Sequence, residues 1–260
     1  MRQPRLAEMV AGALRERIVS GDLADGGALP GLEKLVQEFG VSPPSLREAL
    51  RILENEGLIT VRRGNVGGAV VHRPSADAAA YMFGLVLQSE QVPVTDLAAA
   101  LGHLEVLCVR LCAARRDRKR AVVPTLRRLH RASEDVIDDA VAFEQACQHF
   151  HDGLVSLCGS RSIVLAVSAF EWLWREQPEA WAHRVSALHE YPDEILRWEG
   201  IAAHLEILRA VDRGDPEEAE RVARAHILDP RIRTVAGSDA PVRATDISRV
   251  NRPSQAPEPT

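Results

Sequence analysis

The chain has 260 residues, 46% of them hydrophobic and 27% charged, which is enough for two domains with separate cores. The formal charge of −5 is mild and lies after residue 73, since residues 1–73 hold ten Lys or Arg against nine Asp or Glu. A polyanion-binding surface over the whole protein is excluded, whereas a local one is not.

Residues 29–38 (LPGLEKLVQE) place Leu32, Leu35 and Val36 at helical spacing. They end in Phe39-Gly40-Val41-Ser42, a tight turn with glycine at the corner and serine as the next N-cap. From Ser42 the chain reads SPPSLREALRILENE, in which Leu46, Ala49, Leu50 and Leu53 form one apolar stripe while Arg47 and Arg51 occupy another face. The pair predicts a helix-turn-helix. Two short β-rich runs follow, residues 58–63 and 69–72, around the glycine-rich loop Gly64-Asn65-Val66-Gly67-Gly68. That hairpin completes a winged helix.

The order of LRERIVSGDLADGGALP, VSPPSLREALRILENEGLI and the hairpin, over residues 6–72, resembles the GntR family of bacterial transcription regulators. The resemblance implies binding to a double-stranded DNA operator. Members usually carry an arginine early in the first of these helices, where this chain has Glu33, and another after the turn serine, where it has Pro43; Arg47 of that basic trio is kept. Pro43 and Pro44 suit a first helical turn but remove two backbone donors for phosphate. Contacts are therefore expected from Ser42, Ser45, Arg47 and Arg51, with Arg62, Arg63, Asn65 and the close-approaching Gly67 of the wing.

After a short linker at Arg73-Pro74-Ser75 the pattern is helical, with candidates at 76–89, 95–116, 120–137, 139–158, 161–176, 193–213 and 216–228. An antiparallel bundle is expected, followed by an aperiodic tail rich in Pro, Ser, Arg and Asp. The fold class is thus mainly α. An N-terminal winged helix-turn-helix covers residues 1–72, a linker 73–78, an all-α effector-binding and dimerisation domain 79–232, and a disordered tail 233–260. Cys108, Cys112, Cys147 and Cys158 form no CxxC pair, the N-terminus has no apolar signal core, and no apolar run approaches the ~18 residues of a membrane span. A cytoplasmic protein with reduced thiols and no membrane partner is expected.

Within the bundle, His204 and His226 flank the turn at 212–216 at comparable distances, so an antiparallel pair sets them at similar heights. Facing a third helix with His151, they could converge on one ion; scattered polar or capping histidines are the alternative. The FH pair, the helix bearing His204 and the segment GDPEEAERVARAH resemble the ligand-binding domain of the FadR-like branch, the FCD type. That resemblance implies a small-molecule effector, a homodimer and, in many members, a divalent metal held by three histidines and an aspartate four residues before the FH histidine. His151, His204 and His226 match the histidines, and Cys147 stands at the aspartate position. A thiolate there would favour zinc over harder ions. Otherwise Cys147 is a small core residue, and water or an effector carboxylate completes the sphere.

Members also show an arginine four residues before the glutamate of an LE pair, where it grips a carboxylate ligand; in LGHLE that position is Leu101. His103, Arg110 or the metal could still anchor a carboxylate, and Leu101 fits an acyl ligand instead. The expected function is a metabolite-responsive transcription regulator, a repressor and not an enzyme. Two alternatives are kept: a metal-dependent hydrolase using the histidines with Glu144 or Asp152 as base, and a degenerate dimeric partner protein that no longer binds DNA. No GxSxG, HExxH, P-loop or Rossmann glycine pattern supports the enzyme.

Overall fold

Gly21, Gly40 and Ser42 punctuate the N-terminal helices of the computed structural model, which describes residues 5–62, 68–177, 194–229 and 240–244. Helix α1 (Leu6–Ser20) ends at Gly21 and α2 (Leu32–Phe39) at Gly40, both in the left-handed conformation with φ of 93° and 63°. Helix α3 (Pro43–Asn55) opens with the Ser42 side chain accepting from the backbone N–H of Ser45. Val10, Ala11, Leu14 and Ile18 of α1 meet Leu46, Ala49 and Leu53 of α3 in one apolar core, closed from below by Leu35, Ile59 and Val71. Arg15 grips Glu56 with two hydrogen bonds of 2.8 and 2.6 Å.

Strands β1 (Ile59–Arg62) and β2 (Gly68–Val71) pair antiparallel, Ile59 opposite Val71 and Arg62 opposite Gly68. A third segment, with no strand signal in its glycine-rich sequence, lines the other edge of β2. Leu29 donates to Ala69 O at 2.8 Å, and Val71 donates to Gly27 O at 2.8 Å. The backbone of Arg73 is fastened to Asp25 at 2.9 Å, so the N-terminal unit extends past the wing.

The described residues part into two units between Ala78 and Ala79. In the second, α4 (Ala76–Ser89), α5 (Val94–Ala114), the single turn α6 (Arg118–Ala121), α7 (Val123–Glu134), α8 (Ala140–Ser156), α9 (Arg161–Arg175), α10 (Glu194–Arg213) and α11 (Pro216–Ile227) form a bundle. Residues 76–78, assigned to the linker by sequence, are already the first turn of α4, with Ala78 N–H donating to Ser75 Oγ at 3.1 Å. Helix α5 is the axis of the bundle, burying Val106, Cys108, Val109, Cys112 and Ala113 against Phe150, Leu154, Ile207, Val211, Ala219 and Ala223. By length and composition α5 is apolar enough to cross a membrane, contrary to the sequence expectation that no run approaches that length. Its apolarity is instead used on neighbouring helices, as in any central core helix. All four cysteines are free.

The tail expectation needs correction at residues 240–244. Val94 donates to Ala240 O and Val242 to Val92 O, both at 2.9 Å, and Val242 and Ala244 are fully buried. The buried Gln177 amide donates to Arg243 O at 3.2 Å and accepts from Arg243 N–H at 2.9 Å. A segment this short gains its order from partners far away in sequence, which periodicity cannot register.

The turn between α10 and α11 fixes the heights of His204 and His226. Gly214 adopts φ +75°, and Asp215 accepts from Glu218 N–H at 3.0 Å to cap α11. Arg118 donates to Arg213 O at 3.1 Å, and a Cβ on Gly214 would stand 2.1 Å from that guanidinium. Gly214→Ala is therefore expected to cost about 1–2 kcal/mol, the penalty for a left-handed non-glycine residue, with any displacement of Arg118 adding to it. A lowered urea midpoint with unchanged cooperativity would confirm it, and an unchanged midpoint would refute the packing argument.

Candidate functional site

The exposed side of α3 is set by its buried one. With Leu46, Ala49 and Leu53 turned into the core, Arg47 and Arg51 are left in solvent. Arg47 makes no ion pair among the described residues, while Arg51 lies 3.3 Å from Glu48. At the head of the helix the Ser42 and Ser45 hydroxyls are 2.9 Å apart, beside exposed Pro43 and Pro44. Arg62 ends β1 and is exposed; Arg63, Asn65 and Gly67 lie outside the described residues. Glu54 reaches from α3 to accept from Val61 N–H at 3.0 Å, which ties the helix to the first strand of the wing. Glu33 is exposed on α2 and would repel a nearby phosphate.

In the second unit His151 of α8, His204 of α10 and His226 of α11 come together, one nitrogen from each lying within 4.8 Å of the others. His151 Nε2 and His204 Nε2 are 3.1 Å apart. Phe150 stacks on the His204 ring with centroids 4.3 Å apart, so the adjacent Phe-His pair serves the centre twice. Burial, and then the neighbouring His151, hold His204 well below the ordinary imidazole range, and the same two causes bring His226 down to about 4. Both rings are thus neutral at physiological pH, and each offers a nitrogen lone pair. His204 Nδ1 has no hydrogen-bond partner.

Sequence reasoning used Glu105 only as the glutamate of the LE pair and gave it no role. This residue of α5 is buried, and its Oε1 meets His151 Nδ1. The available signal was a glutamate on the buried stripe Ala98, Gly102, Glu105, Val109, Cys112. Glu171, with its carboxyl pushed up to about 7 by burial and then by Asp152 and Glu105, adds to an acidic setting that favours a cation.

Cys147 stands apart from the three histidines. It packs with Ile137, Phe143 and Ile201, and burial pushes its thiol up to about 12, with Glu144 next among the causes. Four residues along α8 keep it on the His151 face but shift it one turn, about 6 Å, along the axis. His103 is exposed, and Arg110 donates to Glu220 at 3.0 Å and Glu217 at 3.1 Å, tying α5 to α11. Leu101 packs against the main core.

Three imidazoles from three helices, two of them held neutral by burial, suit a divalent ion. Tetrahedral zinc at Zn–N of about 2.0–2.1 Å spaces its ligands by roughly 3.3 Å, close to the 3.1 Å between His151 and His204.

Residues 6–70 match the family of bacterial regulatory proteins described as gntR, and residues 96–229 match the FCD domain. The chain is 28% identical over 230 residues, 86% of its length and 83% of the relative's, to the HTH-type transcriptional repressor NanR of Klebsiella aerogenes. It is 27% identical over 232 residues to the NanR repressor of Escherichia coli strain K12, covering 86% of this chain and 82% of that protein. A solved GntR structure from Streptococcus agalactiae shares the fold, with a TM-score of 0.55 at 20% identity over 86% of this chain and 98% of that one.

Between pH 6.5 and about 4 the unfolded chain binds a proton at the position of His226 that the folded chain refuses. The stabilisation from keeping the ring neutral is fully present above pH 6.5 and falls as the pH drops through that window; His204 acts in the same direction. With a chelator present, the urea midpoint should therefore fall from pH 7 to pH 4.5, and less steeply in a His204→Phe variant. An equally steep fall in the variant would place the proton uptake elsewhere.

Proposed function

The chain belongs to the GntR family of bacterial regulatory proteins, in the branch that carries an FCD domain, and from that membership we propose a cytoplasmic homodimeric repressor that releases its operator on binding a metabolite. The family consists of transcription regulators, so the chain is not an enzyme; its winged helix binds DNA and its FCD domain binds an effector. Repression is supported by relatives that are transcriptional repressors.

Helix α3 enters the major groove, with Arg47 reading bases and Ser42, Ser45, Arg51 and Arg62 setting the register on phosphates. Arg63, Asn65 and Gly67 of the wing join from the adjacent groove. Charge alone does not drive this binding, because the N-terminal 73 residues are nearly balanced. Two copies on a two-fold site supply the missing affinity.

The observation that carries the effector reading is the convergence of half-buried His151 with buried His204 and His226. These residues would hold a divalent ion of the kind imidazole nitrogen suits, zinc among them, and the ion would supply an electrophilic point for an effector oxygen. Cys147, a turn away among Ile137, Phe143 and Ile201, is not needed in that set. With Leu101 at the family's arginine position and Arg110 bound to Glu217 and Glu220, a carboxylate effector is anchored at the imidazole centre, while an acyl effector would use the apolar side chains around it. The segment 73–77 transmits the effect, since a ligand changes DNA affinity only by binding two arrangements unequally.

Fragments of the source genome selected by the purified protein should converge on one palindromic motif. Arg47→Ala should weaken binding to that motif by about 1–3 kcal/mol, roughly tenfold or more, while fold and oligomeric state are kept. Only salt-sensitive background binding in the selection would refute the operator reading.

A further inference from the structure

We propose that Glu105 is a positioning residue for the histidine centre, holding His151 with its Nε2 turned toward His204; the inference rests on reading that centre as a metal site. Glu105 occupies a core position of α5, between Gly102 and Val109 on the buried stripe. A carboxylate is costly there unless a donor meets it. The donor is His151 Nδ1. A carboxylate can only accept, so the ring proton is drawn to Nδ1 and the lone pair is left on Nε2.

That Nε2 is the atom 3.1 Å from His204 Nε2, on the side of the ring facing the centre. Carboxylate, imidazole and centre therefore follow one another in line. In this arrangement an outer carboxylate fixes the tautomer of a ligating histidine, restricts its rotation and raises its basicity. The aspartate position on α8 is Cys147, which lies among Ile137, Phe143 and Ile201. The anionic charge beside the histidines instead comes from α5, a different helix, and it reaches the centre through His151. Phe150, stacked on His204, restrains the second ring by packing.

The test uses the full-length protein, with zinc affinity measured by competition against a chromophoric chelator and the His151 tautomer read from imidazole ¹⁵N shifts in the metal-free state. Wild type should bind zinc and His204→Ala should not. Glu105→Ala should weaken zinc about 10–100-fold. Glu105→Gln, whose amide oxygen still accepts from Nδ1–H, should recover most of that loss. His151 should carry its proton on Nδ1 in wild type and in Glu105→Gln, and lose that preference in Glu105→Ala.

Equal zinc affinity in wild type and Glu105→Ala would overturn the proposal, as would a Glu105→Gln variant as weak as Glu105→Ala, which would make the carboxylate a direct ligand. Should Glu105→Ala fail to fold, the Glu105→Gln affinity and tautomer decide alone. If wild type binds no zinc, the metal reading has failed. The tautomer comparison then still judges Glu105, and an Nδ1–H form independent of residue 105 would sink its positioning role.

Discussion

An imidazole taken out of water is held neutral, and two such rings, His204 and His226, with the half-buried His151 within 4.8 Å, set the terms on which the C-terminal bundle is built. Each ring stands on a different helix, so α8, α10 and α11 must be held at fixed heights. The turn at Gly214, capped by Asp215 and clasped by Arg118, fixes two of them. Helix α5 fixes the third, packing on α8 through Cys112, whose thiol donates to Leu154 O at 3.2 Å, and meeting His151 through Glu105. The apolar core around these contacts raises the cost of charging the rings and thereby keeps their lone pairs available.

The DNA module follows a different logic. Its core consumes one face of α1 and α3, and its ion pairs, Arg15 with Glu56 and Arg17 with Glu38, tie helices together on the surface. These pairs remove arginines from the pool that could meet phosphate. What is left on α3 is Arg47 and a loosely paired Arg51, next to two prolines without N–H groups. Recognition with so few cations depends on where they stand, and therefore on the rigidity of the helix and the two strands behind it.

Much of this was legible in the sequence, for reasons that can be stated residue by residue. Leu46, Ala49 and Leu53 announce α3 because an amphipathic helix must bury a 3.6-residue stripe. His204 and His226 could be set level because a short capped turn leaves little freedom in an antiparallel pair. Cys147 shows the limit of such reasoning: spacing of four says that two side chains share a face, not that both reach the same height on the opposing helices. Cys147 packs on the cluster of Ile137, Phe143 and Ile201 and stands outside the set of three histidines. Glu105 was hidden because its partner is 46 residues away, and one carboxylate in an apolar stripe looks the same before folding whether it ends in solvent or in the core. Residues 27–29 and 240–244 are ordered by backbone pairing to distant segments and carry no periodic pattern of their own.

Charge links the centre to its effector. A dication held by three neutral imidazoles keeps its full charge, and in a poorly solvating interior that charge must be balanced nearby. Cys147 packs among Ile137, Phe143 and Ile201, outside the set of three histidines, so its side chain is not placed to supply the balance. Glu105 supplies part of it through His151, and Glu171 only weakly, since its carboxyl is drawn up to about 7. The remaining positive charge would be met by an anionic group from outside the chain, since Arg110 is already paired with Glu217 and Glu220. In a metal-loaded centre an effector anion would take the ligand position where this chain has Cys147, and the ion would take the role of the arginine replaced by Leu101.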